Sequence, residues 1–275
     1  MEAENEDNRT PLFAATFYGH FDVVKFLHEN GAKLEVRTQE GGYTPLIVAA
    51  QQRHLEVLKF LIQKGISIDE TTNDKRTALY MASQLGHYEV VKCLVKNGAD
   101  VNAKNDEKRS ALYISSQKGH FEIVKFLVEN GKANLEAEAS DNATSLLTAA
   151  SNGHLEIVKY LHENGAKLEI RTTDGGGYSP VIVAAQNGHL EVLKFLLEKG
   201  APKNETTDKN TTALFLASKY GHYDIVWFLL SSDQFGKCDI DKVSKTKCEC
   251  CNGHTALSIA EKRGHDEIAI VLRTY

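Results

Sequence analysis

The chain has 275 residues, 42% of them hydrophobic and 25% charged, with 32 Lys and Arg against 37 Asp and Glu for a formal net charge of −5. This is an ordinary globular composition with enough length for a large core, and the acidic balance argues against a general nucleic-acid or anionic-membrane binder, which needs a basic surplus. No apolar stretch approaches the roughly 20 residues of a membrane helix, and the opening MEAENEDNR is acidic with no apolar run, so neither membrane insertion nor a signal peptide is expected.

In chain order, the first predicted element begins at Thr10 in TPLFAA. A hydroxyl residue followed by Pro or a good helix former marks a helix N-terminus, because the hydroxyl accepts from an orphan amide and Pro fits the first turn. The same opening recurs at Thr44, Thr77, Ser110, Thr144, Ser179, Thr212 and Thr255. Each opening starts a short helix rich in Ala and Ser that ends at a Gly-His pair. The pairs begin at Gly19, Gly86, Gly119, Gly153, Gly188, Gly221 and Gly264, and Arg53 replaces the glycine in one further copy. Successive spacings are 34, 33, 33, 34, 35, 33 and 43. A second helix follows each pair, as in FDVVKFLHEN, where Val23, Val24 and Leu27 fall at helical spacing. Gly31, Gly65, Gly98, Gly131, Gly165 and Gly200 are predicted to end these helices as left-handed caps.

Self-similarity at this period is the signature of a solenoid. The TPL and TAL openings, the A-x-x-G-H turns, the EIVKFL helices and GADVNAK at Gly98–Lys104 resemble the ankyrin-repeat family, and the match runs from about residue 7 to the C-terminus. The resemblance implies an all-α solenoid of stacked helix-turn-helix units with hairpin-like connections to one side. We read residues 1–275 as one such domain, with repeats at approximately 7–38, 39–71, 72–104, 105–138, 139–173, 174–206, 207–249 and 250–275. The family's typical unit carries His after TPL. Here that position holds Phe13, Ile47, Tyr80, Tyr113, Leu147, Ile182, Phe215 and Ser258, so packing must replace the bonds that His would make. The segment Leu27–Leu61 also nearly recurs as Leu161–Leu196, about four repeats later, which points to duplication of a four-repeat block.

The eleven histidines do not suggest catalysis. Eight are turn markers, which a solenoid spaces one repeat apart instead of bringing together. His28 and His162 are duplicates at positions where other repeats carry Ile62, Val95 and Val128, and they are expected to pack half-buried. The glycines at 41–42 and 175–177 lack the strand and the Lys-Ser/Thr of a phosphate loop and are read as hairpin tips. No nucleophile–base–orienter set is present, and no cofactor is expected.

Four of the five cysteines lie between Cys238 and Cys251, in the longest connection. Cys248 and Cys251 have the C-x-x-C spacing that lets two thiolates share one zinc, and Cys238 or Cys250 with His254 would complete a tetrahedron. Against a metal stand the single C-x-x-C pair and the adjacency of Cys250 to Cys251. The expectation is a longer hairpin tip without metal, with Cys238 as a small packed thiol. Cysteines bunched in this way do not form a disulfide framework, so an intracellular, reducing compartment is expected. Asn102 in DVN resembles the context in which ankyrin asparagines are hydroxylated.

The resemblance implies protein binding through the hairpin tips and the exposed side of the first helices, which line the concave face of such stacks. The corresponding residues here are Arg9, Tyr18, Tyr43, Arg76, Leu85, Arg109, Lys118, Asn152, Tyr178, Asn187, Lys219, Tyr220 and Arg263. Tyr and Arg are enriched at binding hot spots. The expected function is a monomeric, non-enzymatic scaffold for a protein or extended peptide. The alternative is a regulatory or targeting fragment of a larger enzyme or channel.

Overall fold

The computed structural model describes residues 10–173, 176–245 and 252–275. The chain divides into two compact units, Met1–Ala139 and Ser140–Tyr275, and the division falls between the fourth and fifth repeats. Unit 1 holds α1 (Pro11–Phe17), α2 (Phe21–Glu29), α3 (Pro45–Gln51), α4 (Leu55–Gln63), α5 (Ala78–Leu85), α6 (Tyr88–Lys96), α7 (Ala111–Lys118) and α8 (Phe121–Glu129). Unit 2 holds α9 (Ser145–Ser151), α10 (Leu155–Glu163), α11 (Pro180–Gln186), α12 (Leu190–Glu198), α13 (Ala213–Tyr220), α14 (Tyr223–Ser231), α15 (Ala256–Arg263) and α16 (Asp266–Thr274). No strand occurs among the described residues. In unit 1 the first helices α1, α3, α5 and α7 stack in sequence, and in unit 2 α9, α11, α13 and α15 do the same, each with its second helix packed alongside.

All eight hydroxyl residues cap their helices. Thr10, Thr44, Thr77, Ser110, Thr144, Ser179, Thr212 and Thr255 each accept from the backbone N–H three residues on. The residue giving that N–H occupies the position where the sequence lacks the expected His. Phe13, Ile47, Tyr80, Tyr113, Leu147, Ile182 and Phe215 are all buried there, so apolar packing fills the position in seven repeats. In the eighth, Ser258 reaches back to the Thr255 N–H and completes a capping box.

Within each unit the Gly-His turn ties a repeat to the one before it. In unit 1 the imidazole Nε2 of His54, His87 and His120 lies 3.0, 3.0 and 3.1 Å from the carbonyls of Phe17, Gln51 and Gln84. In unit 2, His189, His222 and His265 reach Ser151, Gln186 and Lys219 at 3.1, 2.8 and 3.2 Å. The carbonyls belong to the last turn of the preceding first helix, which has no intrahelical donor left, so each Nε2–H donates. Histidine is thus a joining element at these six turns.

The left-handed caps appear at Gly31, Gly65, Gly98, Gly165 and Gly200. Gly131 does not follow them. The left-handed residue there is Lys132, with φ 53°, because the connection after α8 carries one extra residue: Ala133 N–H reaches Leu127 O, six residues back, whereas Ala32 reaches Leu27 O, five back. The connections form hairpins closed by backbone pairs. The paired residues are four apart in Thr72–Arg76, Asn105–Arg109 and Thr207–Thr211, and ten apart in Ser244–His254. A 3-10 turn at Asp233–Phe235 takes up more of the long seventh connection. Buried Lys203 donates 2.8 Å bonds to Ser232 O and Gly236 O and pins that turn to the preceding repeat.

Burial holds the imidazoles of His87 and His189 below the ordinary value of 6.5, against the favourable bonds to Gln51 and Ser151. A lowered folded value means that the folded chain stays neutral while the unfolded chain takes up protons. Stability from these groups is therefore complete above 6.5 and is lost as pH falls below it. Urea unfolding of the His87→Gln/His189→Gln variant should show a smaller loss between pH 7.5 and pH 5 than the parent. An identical pH slope in both chains would contradict this.

Candidate binding surface

Within unit 1 the predicted binding residues fall into two groups. Arg76 and Arg109 occupy the same place in successive repeats, just before the N-caps of α5 and α7. The Arg76 Nε lies 2.8 Å from Asp74, and an Arg109 Nη 2.6 Å from Glu107. Each guanidinium also stands over the ring four residues on in its own repeat, Arg76 over Tyr80 at 5.9 Å and Arg109 over Tyr113 at 5.4 Å. Each guanidinium thus has an acid on one side and a ring on the other, while its buried Nε makes no hydrogen bond. The tips are joined by the Asp106 N–H bond to Asp74 O and by the Lys75–Asp106 ion pair at 3.0 Å. The second group lies at the ends of the first helices. Tyr18 is 67% exposed beside Phe17, Leu85 is 45% exposed at the end of α5, and Lys118 is exposed at the end of α7. Tyr43 is half-buried in its hairpin, its ring covering Gly41, where a Cβ would come within 2.6 Å of it.

Unit 2 brings three predicted residues together. Tyr178 packs against Ile182, Phe215, Leu216 and Ile259. Burial raises its phenol, with Tyr220 adding to the rise and Lys219 opposing it. The Lys219 ammonium stands 5.0 Å from the centre of the Tyr220 ring, and Tyr220 is 47% exposed. A half-buried tyrosine, an exposed tyrosine and a cation thus form one amphipathic cluster. Asn187 is exposed but is committed to its neighbour, donating to Ser151 O at 2.7 Å and Ser151 Oγ at 3.0 Å. Asn152 donates to Thr148 O of its own helix at 2.8 Å. Arg263 is exposed at the end of α15. Arg9 lies outside the described residues.

The chemistry that the sequence raised is largely committed to structure. His28 and His162 sit edge-on to Phe60 and Phe195 at 5.8 and 5.9 Å, the half-buried packing expected of them. Cavities of about 520 Å³ beside His162, Leu168 and Lys199, and of about 350 Å³ beside His28, Leu34 and Ile66, are copies of one groove, and no predicted binding residue lines either. His254 Nδ1 lies 3.0 Å from Ser258 Oγ and Nε2 3.2 Å from Lys262 Nζ, so both ring nitrogens are engaged by side chains of α15. Burial raises the Cys238 thiol to about 11, against the pull of Lys203, which keeps it protonated at neutral pH. Cys248, Cys250 and Cys251 lie outside the described residues. Among the described residues no group of three or more His, Cys, Asp or Glu is placed to hold a metal ion. Asn102 is exposed, and its Oδ1 accepts from Asn134 N–H at 2.8 Å.

Sequence reasoning missed two exposed groups: Val23 and Phe26 on α2, where Val23 was expected to face the core, and Tyr223, Trp227 and Ile270 on α14 and α16 with Tyr275 just after α16. For the second group the signal was present as a break in pattern, since Trp227 and Ile270 stand where the other six repeats have Lys.

No helix of the described residues is long and apolar enough to cross a membrane. None of the curated proteins compared with this chain matches it. The family model for ankyrin repeats in three copies matches residues 36–105, 98–174, 146–244 and 207–275, and the model for the single ankyrin repeat matches residues 7–39. Those matches leave almost none of the chain uncovered and agree with the paired helices of both units, so this chain belongs to the ankyrin-repeat family.

Proposed function

We propose that this chain is a non-enzymatic scaffold that holds a protein or extended peptide against the exposed side of its first helices and its hairpin tips. Ankyrin repeats are in general protein–protein interaction modules. The observation that carries the reading to these residues is the Tyr178–Lys219–Tyr220 cluster. It is an aromatic, cationic surface already braced on the core of unit 2. Ordering such side chains in advance lowers the entropy cost of binding. The braced Arg76 and Arg109 of unit 1 share that property. An open face suits a macromolecular partner better than a metabolite, which requires an enclosing pocket. The free thiols Cys93 and Cys238 fit a reducing intracellular compartment.

The Lys219→Ala/Tyr220→Ala variant tests this. Tyr178 is left in place because it packs on Phe215, and removing it would confuse folding with binding. The helical circular-dichroism spectrum should be unchanged. Capture of the partner by affinity purification should fall about tenfold or more, as for loss of hot-spot residues. Undiminished capture by this variant, together with loss of capture on substituting Lys59 and Lys92, would place binding on the second helices instead.

A further inference from the structure

We propose that the outer side of α14 and α16 in unit 2 is a separate docking surface for a basic amphipathic helix of a partner protein. The argument starts from one repeat position, six residues past the turn glycine or Arg53. It holds Lys25, Lys59, Lys92, Lys125, Lys159 and Lys194 in six repeats, then Trp227 and Ile270. Three of the lysines pair with the acid one turn earlier on the same helix: Lys59 with Glu56 at 2.8 Å, Lys92 with Glu89 at 3.8 Å and Lys194 with Glu191 at 2.7 Å. The position is exposed or half-buried in every repeat, so the exposure of Trp227 and Ile270 is not an effect of lying in the last repeats.

The replacement changes two properties at once. It puts apolar area on the surface: Trp227 is 48% exposed, Ile270 58% and Tyr275 55%, with the Tyr275 ring edge-on to Trp227 at 6.2 Å. Tyr223, one turn before Trp227, extends this area. It also removes the lysines that the acids use elsewhere. Asp224, Asp266 and Glu267 make no ion pair among the described residues, and the one Lys or Arg of α16, Arg273, is taken by Glu261 at 2.6 Å. A cavity of about 290 Å³ opens at the starts of the two helices, lined in part by Tyr223, Asp266 and Glu267.

Apolar residues rimmed by unneutralised acids match a helix with an apolar face and flanking Lys or Arg. The indole offers a cation the most favourable aromatic face, and the cavity offers it carboxylates. A second copy fits poorly, because a two-fold contact would set these acids against themselves. An anionic lipid surface would be repelled. The surface lies on second helices and does not depend on the first-helix reading.

Trp227 is the only tryptophan of the chain, so its emission reports directly on this surface. The probe is a synthetic helical peptide of Leu and Lys with all Leu on one face, titrated into the full chain. We expect a saturable shift of the emission to shorter wavelength. A Leu/Glu peptide of the same pattern should give none. Ile270→Lys restores the residue used in six repeats and should fold normally, yet bind the Leu/Lys peptide at least tenfold more weakly. Five outcomes would overturn the proposal: no shift with the Leu/Lys peptide; an equal shift with the Leu/Glu peptide; undiminished binding by Ile270→Lys; a shift on raising protein concentration alone, which would indicate self-association; or a shift with phosphatidylserine vesicles, which would indicate a membrane.

Discussion

Replacing Phe215 with Ala is expected to destabilise unit 2 by about 3–5 kcal/mol, the range for emptying a large aromatic site in a core. Phe215 is 2% exposed and packs with Ile182, Leu216 and Ile259, so the cavity would touch three consecutive repeats. Its backbone N–H would still reach Thr212 Oγ1, so the loss would come from packing and not from the cap. Phe215→His, which installs the residue usual at this position in the family, should also destabilise, by about 2–3 kcal/mol, because its ring would be buried where packing, not hydrogen bonding, has been built. The urea midpoint and hydrogen exchange of α11, α13 and α15 measure both effects. A Phe215→His chain as stable as the parent would show that polar partners are within reach after all.

The second large effect concerns the turn. Gly221→Val should cost about 2–4 kcal/mol, combining left-handed strain on a β-branched residue with damage to the joint beyond it. Gly221 has φ 80°, and a Cβ there would lie 2.7 Å from Cε1 of His265, the ring that bonds Lys219 O. The ring can yield in part, because Arg53 occupies the equivalent place with φ 64° while His87 still reaches Gln51 O at 3.0 Å. The strain therefore dominates, and Gly221→Arg should cost only about 1 kcal/mol. Hydrogen exchange over residues 256–274 should rise far more for Val than for Arg. Equal protection in the two variants would remove strain from the explanation.

Much of this was legible from residue type because the interactions are local. A hydroxyl three residues before an amide is a cap whatever surrounds it, and all eight proposed caps form. Gly131 broke the glycine rule because one inserted residue moved the left-handed position to Lys132, a shift that composition does not announce. The histidines were legible as repeat markers, but their bonds to the preceding repeat needed spatial neighbours to see. Asn187 shows the same limit: its exposure follows from its place in the repeat, but its bonds to Ser151 do not. Trp227 and Ile270 were overlooked because the repeat was read for what it keeps, whereas their meaning lies in what it drops. The repeat limits and the single-domain reading remain proposals beside the two compact units.

The most direct test of the scaffold reading is site-specific photocrosslinking in native extract. A benzophenone side chain would be placed singly at Leu85 or Tyr220 on the first helices and at Lys59 or Lys159 on the second. The account predicts an adduct with the same partner protein from Leu85 and Tyr220 and none from Lys59 and Lys159. Adducts confined to Lys59 and Lys159, or their absence at both Leu85 and Tyr220, would contradict it.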